Sequence, residues 1–165
     1  MNKPSTRKKV AAASVPPEQM LDNQLCFAVY AAGHAFTQAY KPFLEPQGLT
    51  YPQYLVLLQL WEQDDRTVKQ LGEPLFLDSG TLTPLLKRME AAGWIERRRD
   101  TGDERVVRVS LTDKGRAFRE KAREIPAALM CAAGLDVAGL STLRNKLKRA
   151  ANGLRSGRKT AERAG

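Results

Sequence analysis

Two side chains in this sequence carry thiols, Cys26 and Cys131. A thiolate attacks electrophilic oxygen or sulfur, and a second thiol can trap the product as a disulfide. Two cysteines 105 positions apart (26 to 131) are too few for a secreted disulfide framework and fit no zinc spacing. The expectation is therefore two free thiols in a reducing compartment, with no metal and no cofactor. His34 is the single histidine. It is read as a helix-surface residue, which leaves no Cys-His pair for nucleophilic catalysis, and no catalytic residues are assigned.

Cys26 lies in LDNQLCFAVY, where two readings compete. Cysteine is among the most frequently buried residues, which favours an inert packed thiol. On a helical wheel at about 100° per residue, however, Leu21, Leu25, Ala32 and Phe36 gather on one stripe, read as core. Cys26, Tyr30, Gly33, Thr37 and Tyr40 form a second stripe at least a quarter turn away. Hydroxyl donors aimed at a sulfur favour its thiolate. Tyr30 is one turn from Cys26 and can reach it within the helix. Tyr40 is fourteen residues on (26 to 40), about 21 Å along a helix axis. It and Tyr51 approach the sulfur only if two copies pack this helix antiparallel across a twofold axis, so the tyrosine spacing asks for a homodimer. The bland alternative is that these aromatics simply pack.

The elements that must hold these residues follow from periodicity. Leu25, Ala28, Val29, Ala32, Phe36, Ala39 and Phe43 recur at helical spacing from Leu21 until Pro42 and Pro46 break the run. Thr50-Tyr51-Pro52 opens a second helix carrying Tyr54, Leu57, Leu58 and Trp61, which ends in Gln63-Asp64-Asp65-Arg66. A short helix runs from Thr67 to about Phe76. In LDSGTLTPLLKRMEAAGW, Asp78 or Ser79 caps the next helix, Leu77 and Leu82 make a hydrophobic staple, and Gly93 stops it. Pro84 withholds one N–H near its start at modest cost. WIERRR and RVVRVSL, separated by Asp100-Thr101-Gly102-Asp103-Glu104, read as a hairpin. A helix from Thr112 kinks near Pro126 and runs towards Gly134, and a last one spans about Asp136 to Ala151.

Short helix, tight turn, helix and then hairpin describe a winged helix-turn-helix, whose second helix enters the DNA major groove. Leu82, Leu85, Leu86 and Met89 form its core stripe. Ser79, Thr81, Thr83 and Pro84 lie towards its front, and Lys87 and Arg88 can meet phosphate or guanine. Arg97, Arg98, Arg99, Arg105 and Arg108 lie on or beside the hairpin loop. Asp103 either fixes the Arg105 guanidinium for a narrow minor groove or makes an exposed ion pair of little worth.

Twenty-seven Lys and Arg against eighteen Asp and Glu leave a formal charge of +9. Such an excess suits a polyanionic partner, with nucleic acid as the expected one. Residues 1–17 and 154–165 are expected to be disordered basic tails, with weak phosphate attraction as their only assignable role. Between them, residues 18–153 make one domain, with the winged helix-turn-helix at about 50–111 and dimerisation helices at about 18–42 and 112–153. No apolar run approaches the roughly 18 residues of a membrane span and no signal peptide is evident, so no membrane partner is expected and the cytoplasm is the expected location.

LDNQLCFAVY, YKPFLEPQGLTYPQYLVLLQLWE, TVKQLGEPLFLDSGTLTPLLKRMEAAGWIERRRDTGDERVV and SLTDKG closely resemble the organic hydroperoxide resistance regulators. These are a redox-sensing branch of the multiple antibiotic resistance regulator (MarR) family, and the resemblance covers about 21–147. It implies a mainly α fold with a small β-hairpin, a winged helix-turn-helix with a helical dimerisation region, and a homodimeric repressor released from its operator by organic hydroperoxides. By that resemblance Cys26 is the peroxidatic cysteine, Tyr30, Tyr40 and Tyr51 surround it as thiolate-stabilising groups, and Asp103 with Arg105 read the groove. Cys131 marks the two-cysteine type, in which the second thiol, from the other subunit, closes a disulfide. Two rivals remain open: a MarR-type repressor switched by a small aromatic ligand, and a thiol peroxidase, which would have no use for an arginine-rich wing.

Overall fold

The structure is a computed structural model and describes residues 15–164. Residues 1–14 of the expected amino-terminal tail lie outside the described residues. The chain divides into two units, residues 1–38 and 39–165.

In the first unit, single 3-10 turns at Pro17–Gln19 and Leu21–Asn23 precede helix α1, Leu25–Leu44, which continues into the second unit. The helix therefore starts four residues later than its apolar pattern predicts. Asn23 and Gln24 side chains turn back to the carbonyls of Pro17 and Glu18, closing the 3-10 turns ahead of it. Leu21, Leu25 and Phe36, expected as core, are exposed, Leu25 at 71%. This corrects the wheel: α1 has an apolar face, but within one chain that face is open.

The second unit holds the remaining elements. Pro42 does not end α1, which runs on to Leu44, followed by a 3-10 turn at Glu45–Gln47 and Gly48 at φ +66°. Helix α2, Tyr51–Glu62, opens on a capping box in which the Thr50 N–H donates to Gln53 Oε1 at 2.8 Å. Strand β1, Arg66–Thr67, leads into α3, Val68–Leu75, and α4, Ser79–Ala91. Strands β2, Ile95–Arg99, and β3, Val107–Leu111, follow. Helix α5, Asp113–Lys121, a 3-10 turn at Ala122–Glu124, α6, Ile125–Ala132, and α7, Val137–Ala164, complete the chain.

The expected hairpin is part of a three-stranded antiparallel sheet of order β1-β3-β2, with Ile95 opposite Leu111, Arg98 opposite Arg108 and Arg66 opposite Val109. A two-residue strand is too short to show any alternation, so the sequence hides it. The core gathers Tyr54, Val56, Leu57 and Leu60 from α2, Leu82, Leu85, Leu86 and Met89 from α4, and Trp94, Ile95, Val109 and Leu111 from the wing. Trp61 seals one edge by donating its indole N–H to the Gly115 carbonyl at 2.9 Å.

Towards the carboxyl end, the kink foreseen at Pro126 is the 3-10 turn just ahead of α6, with Pro126 as that helix's second residue. Helix α7 runs past its expected end near Ala151 to Ala164, so the supposed tail from residue 154 is helical. Ala, Leu, Lys and Arg there are good helix formers, and they outweigh Gly153 and Gly157. Arg155 also lies over the exposed Phe76 ring, 3.4 Å from its centroid.

Candidate functional site

Helix α4 is built as the sequence predicts. Asp78 caps it, accepting the Thr81 N–H at 2.8 Å, and those hydrogen bonds hold its carboxyl below the usual carboxylate range. At the other end Gly93 takes φ +74°, and the Trp94 N–H returns to the Met89 carbonyl at 2.9 Å, which is a Schellman closure. Leu82, Leu85, Leu86 and Met89 are all buried, so the opposite face is fixed outward. Ser79, Thr81, Pro84, Lys87 and Arg88 are exposed on it and Thr83 is half-buried. Ser79, Thr83 and Arg105 are brought together along one groove of about 760 Å³, between α3, the front of α4 and the wing. The Thr81 hydroxyl donates to Asp78 at 3.3 Å, so in the free chain it serves the cap.

The wing arginines divide sharply. Arg105 makes a two-pronged ion pair with Asp103, Nε to Oδ1 at 3.0 Å and Nη2 to Oδ2 at 3.1 Å, while its side chain stays 90% exposed. That hydrogen-bonded pairing lowers the Asp103 pKa and raises that of Arg105. Three other arginines on or beside the hairpin loop are tied to carboxylates of the chain itself, Arg97 and Arg108 partly buried and Arg98 still half exposed. Arg97 pairs with Glu90, which also accepts the Arg97 backbone N–H. Arg98 pairs with Asp65, and Arg108 with Asp65 and Asp100. The physical reason is that Arg98 and Arg108 face each other across the strands, and Asp65, in the turn between α2 and β1, accepts from both. This acidic anchor has no motif-like signature in Gln63-Asp64-Asp65-Arg66, and sequence reasoning missed it.

In the first unit Cys26 is an exposed free thiol one residue into α1. Tyr30 does not meet it. The ring instead packs on His34, four residues further along, at a centroid distance of 4.4 Å, and no hydrogen bond joins Tyr30 to the sulfur. Position i+4 offers an aromatic face, which Cys26 at i−4 does not.

In the second unit the Tyr40 and Tyr51 rings pack at a tilt of 41° with centroids 4.6 Å apart, and Tyr54 lies against Tyr40 at 5.5 Å. Burial, reinforced by the neighbouring phenols, pushes Tyr40 up to about 12, and burial likewise raises Tyr51 and Tyr54. All three hydroxyls therefore remain proton donors across the physiological range. Cys131, near the end of α6, is also an exposed free thiol, followed by Gly134 at φ +63°. Among the described residues no cluster of His, Cys, Asp and Glu could hold a metal ion, and no single helix is long and apolar enough to cross a membrane.

Comparison with known proteins gives a consistent picture. The family model of the transcriptional regulators SarA/Rot matches residues 38–122. The chain is 61% identical over 108 residues to the HTH-type transcriptional regulator TtmR of Methylorubrum extorquens, a match covering 66% of this chain and 55% of TtmR, so it spans about half of that relative. It is 54% identical over 110 residues to the organic hydroperoxide resistance transcriptional regulator of Bacillus subtilis, covering 67% of this chain and 75% of that protein. Among solved structures, reduced AbfR bound to DNA aligns with a TM-score of 0.69 at 38% identity, over 81% of this chain and 93% of that one. A disulfide-formed AbfR aligns at 0.56 with 39% identity, over 79% and 91%. With a capped helix-turn-helix, a wing and these relatives in agreement, the chain belongs to the MarR family of winged-helix transcriptional regulators, in the group that holds the organic hydroperoxide resistance regulators.

Proposed function

We propose that this chain is a redox-sensing repressor that binds double-stranded operator DNA as a reduced homodimer. Oxidation of Cys26 by an organic hydroperoxide, followed by an intersubunit disulfide to Cys131 of the partner subunit, releases it. The observation that carries the reading is the exposure of both thiols, Cys26 on α1 and Cys131 near the end of α6, together with apolar side chains left open on α1 and α7. Leu25, Val29 and Phe36 are exposed on α1, as are Val137, Leu143 and Leu147 on α7. Apolar faces of that kind mark a surface meant to be covered, and a second copy covers them symmetrically.

The chemistry balances without a cofactor. The Cys26 thiolate attacks one peroxide oxygen, the S–O bond forms as the O–O bond breaks, and the alkoxide leaves and takes a proton to become an alcohol. The sulfenic acid is then attacked by the Cys131 thiolate of the partner subunit, and its hydroxyl departs as water. Tyr40 and Tyr51, kept protonated, are hydrogen-bond donors of the type that stabilises a nearby thiolate. On the DNA side, Ser79, Thr81, Thr83, Pro84, Lys87 and Arg88 face the major groove, and Arg105, braced by Asp103, enters the flanking minor groove.

The test is operator affinity at fixed salt, before and after an organic hydroperoxide, for the wild type, Cys26→Ser and Cys131→Ser. The wild type is expected to lose at least tenfold in affinity and to run as a cross-linked dimer in a non-reducing mass spectrum. Cys26→Ser should bind the operator and ignore the peroxide. An unchanged peroxide response in Cys26→Ser rejects the redox reading and leaves a small-ligand switch. Multiple turnover of peroxide with a thiol reductant, without loss of DNA binding, would instead mark a peroxidase.

A further inference from the structure

Between the end of α2 and the tip of the wing runs an unbroken series of polar contacts with Asp65 at its root. Asp65 sits at φ +58°, a left-handed conformation that Asp tolerates better than most residues. That turn sends its carboxylate towards the sheet. Oδ1 accepts from Arg98 Nη2 at 2.9 Å, Oδ2 from Arg108 Nε at 3.0 Å, and the backbone carbonyl from Arg108 Nη2 at 2.6 Å. Arg98 and Arg108 are direct cross-strand partners, an arrangement that repels unless an anion lies between them.

The series continues outward. Arg108 Nη1 donates to Asp100 Oδ2 at 3.2 Å, and Asp100 Oδ1 accepts the Gly102 N–H at 2.9 Å, which folds the loop. The Asp100 N–H donates to the Val106 carbonyl at 2.8 Å and the Val106 N–H to the Asp103 carbonyl at 2.9 Å. Asp103 then holds the Arg105 backbone N–H at 3.0 Å as well as its guanidinium. At the inner end, Asp64 accepts the Asp65 and Leu111 N–H groups, each at 2.9 Å, and pairs with Arg116 at 2.8 Å.

We propose that Asp65 is a positioning residue for DNA binding: by clamping both wing strands to the end of α2 it sets the pose of Arg105, so that the helix carrying Tyr51 and Tyr54 and the tip of the wing move as one body. This rests on the reading of Arg105 as a DNA contact. Asp65 itself need touch no DNA. The hydrogen bond from Arg108 keeps its carboxyl ionised well below neutral pH, so the clamp is closed under all physiological conditions.

Asp65→Gly removes the carboxylate while leaving a residue that takes positive φ freely, so the path out of α2 is kept. Operator affinities at fixed salt are compared for the wild type, Arg105→Ala, Asp65→Gly and the double variant. Arg105→Ala is expected to bind about tenfold more weakly, Asp65→Gly to a similar degree, and the double variant within about threefold of the weaker single one. Combined with Lys87→Ala, which alters the other reading element, the Asp65→Gly loss should multiply in full.

The proposal is overturned if Asp65→Gly binds within twofold of the wild type while Arg105→Ala binds weakly. It is equally overturned if the Asp65 and Arg105 losses multiply, or if Asp65→Gly couples to Lys87 as strongly as to Arg105, which would mean general support of the fold. Wild-type affinity in Arg105→Ala would sink the reading of the wing itself, and this proposal with it. Should Asp65→Gly fail to fold, Arg108→Gln breaks the same series from the other side and is held to the same outcomes.

Discussion

Burial around the phenol of Tyr40 decides what that side chain can do. With a pKa near 12 rather than 10, it is a hydrogen-bond donor and never an anion where the protein works. The same shift has a consequence for stability. The folded state holds the proton more tightly than the unfolded chain, so the contribution is complete below pH 10 and is lost as pH rises from about 10 towards 12. Chemical denaturation at pH 9 and pH 11 should show wild-type stability falling across that interval, and Tyr40→Phe falling by less. An equal fall in both proteins would mean that Tyr40 titrates as an ordinary phenol. Tyr51 and Tyr54 shift in the same direction from burial, so some loss remains in the variant.

At the scale of the element, the wing is locked to the helix that follows it by one close backbone approach. Gly115, in the first turn of α5, lies so near the Trp94 carbonyl that any Cβ there would collide with it, and with Leu111 Cδ2 at 3.0 Å. The Trp61 indole N–H donates to the carbonyl of this same residue, and Thr112 caps the helix by accepting the Gly115 N–H at 3.1 Å. A methyl at residue 115 therefore has no relaxed position, because a backbone carbonyl cannot rotate away as a side chain can. Gly115→Ala is expected to cost about 1–3 kcal/mol, measured as a lowered urea midpoint. A midpoint unchanged from wild type would show that α5 can shift off the wing without loss.

At the scale of the whole molecule, the proposed homodimer would make stability a matter of protein concentration. Leu25 and Val29 on α1 and Val137, Leu143 and Leu147 on α7 are exposed in the single chain, and they are the apolar side chains that a second copy would cover. Association that favours only the folded state raises the apparent melting temperature as protomer concentration rises. The melting midpoint should climb by a few degrees over a hundredfold concentration range, and Leu147→Asp should abolish the climb and shift light-scattering mass to that of one chain. A midpoint independent of concentration, with a monomer mass for the wild type, would refute the homodimer.

The particular residues show where sequence sufficed. The cap at Asp78 and the helix starts at Thr50, Thr67 and Thr112 were legible because each rests on a local interaction between one side chain and backbone groups three residues away. The buried stripe of α4 was legible because four apolar residues at helical spacing leave one face to bury. Two features were decided only by tertiary structure. Whether the Leu25 face is core or open surface depends on which elements the rest of the chain supplies to cover it, and no periodicity encodes that. Likewise, which of the wing arginines are pinned and which is held outward depends on where α2 ends in space relative to β3. Asp65 and Arg108 are 43 positions apart in the chain, yet share a 3.0 Å contact that local spacing cannot foretell.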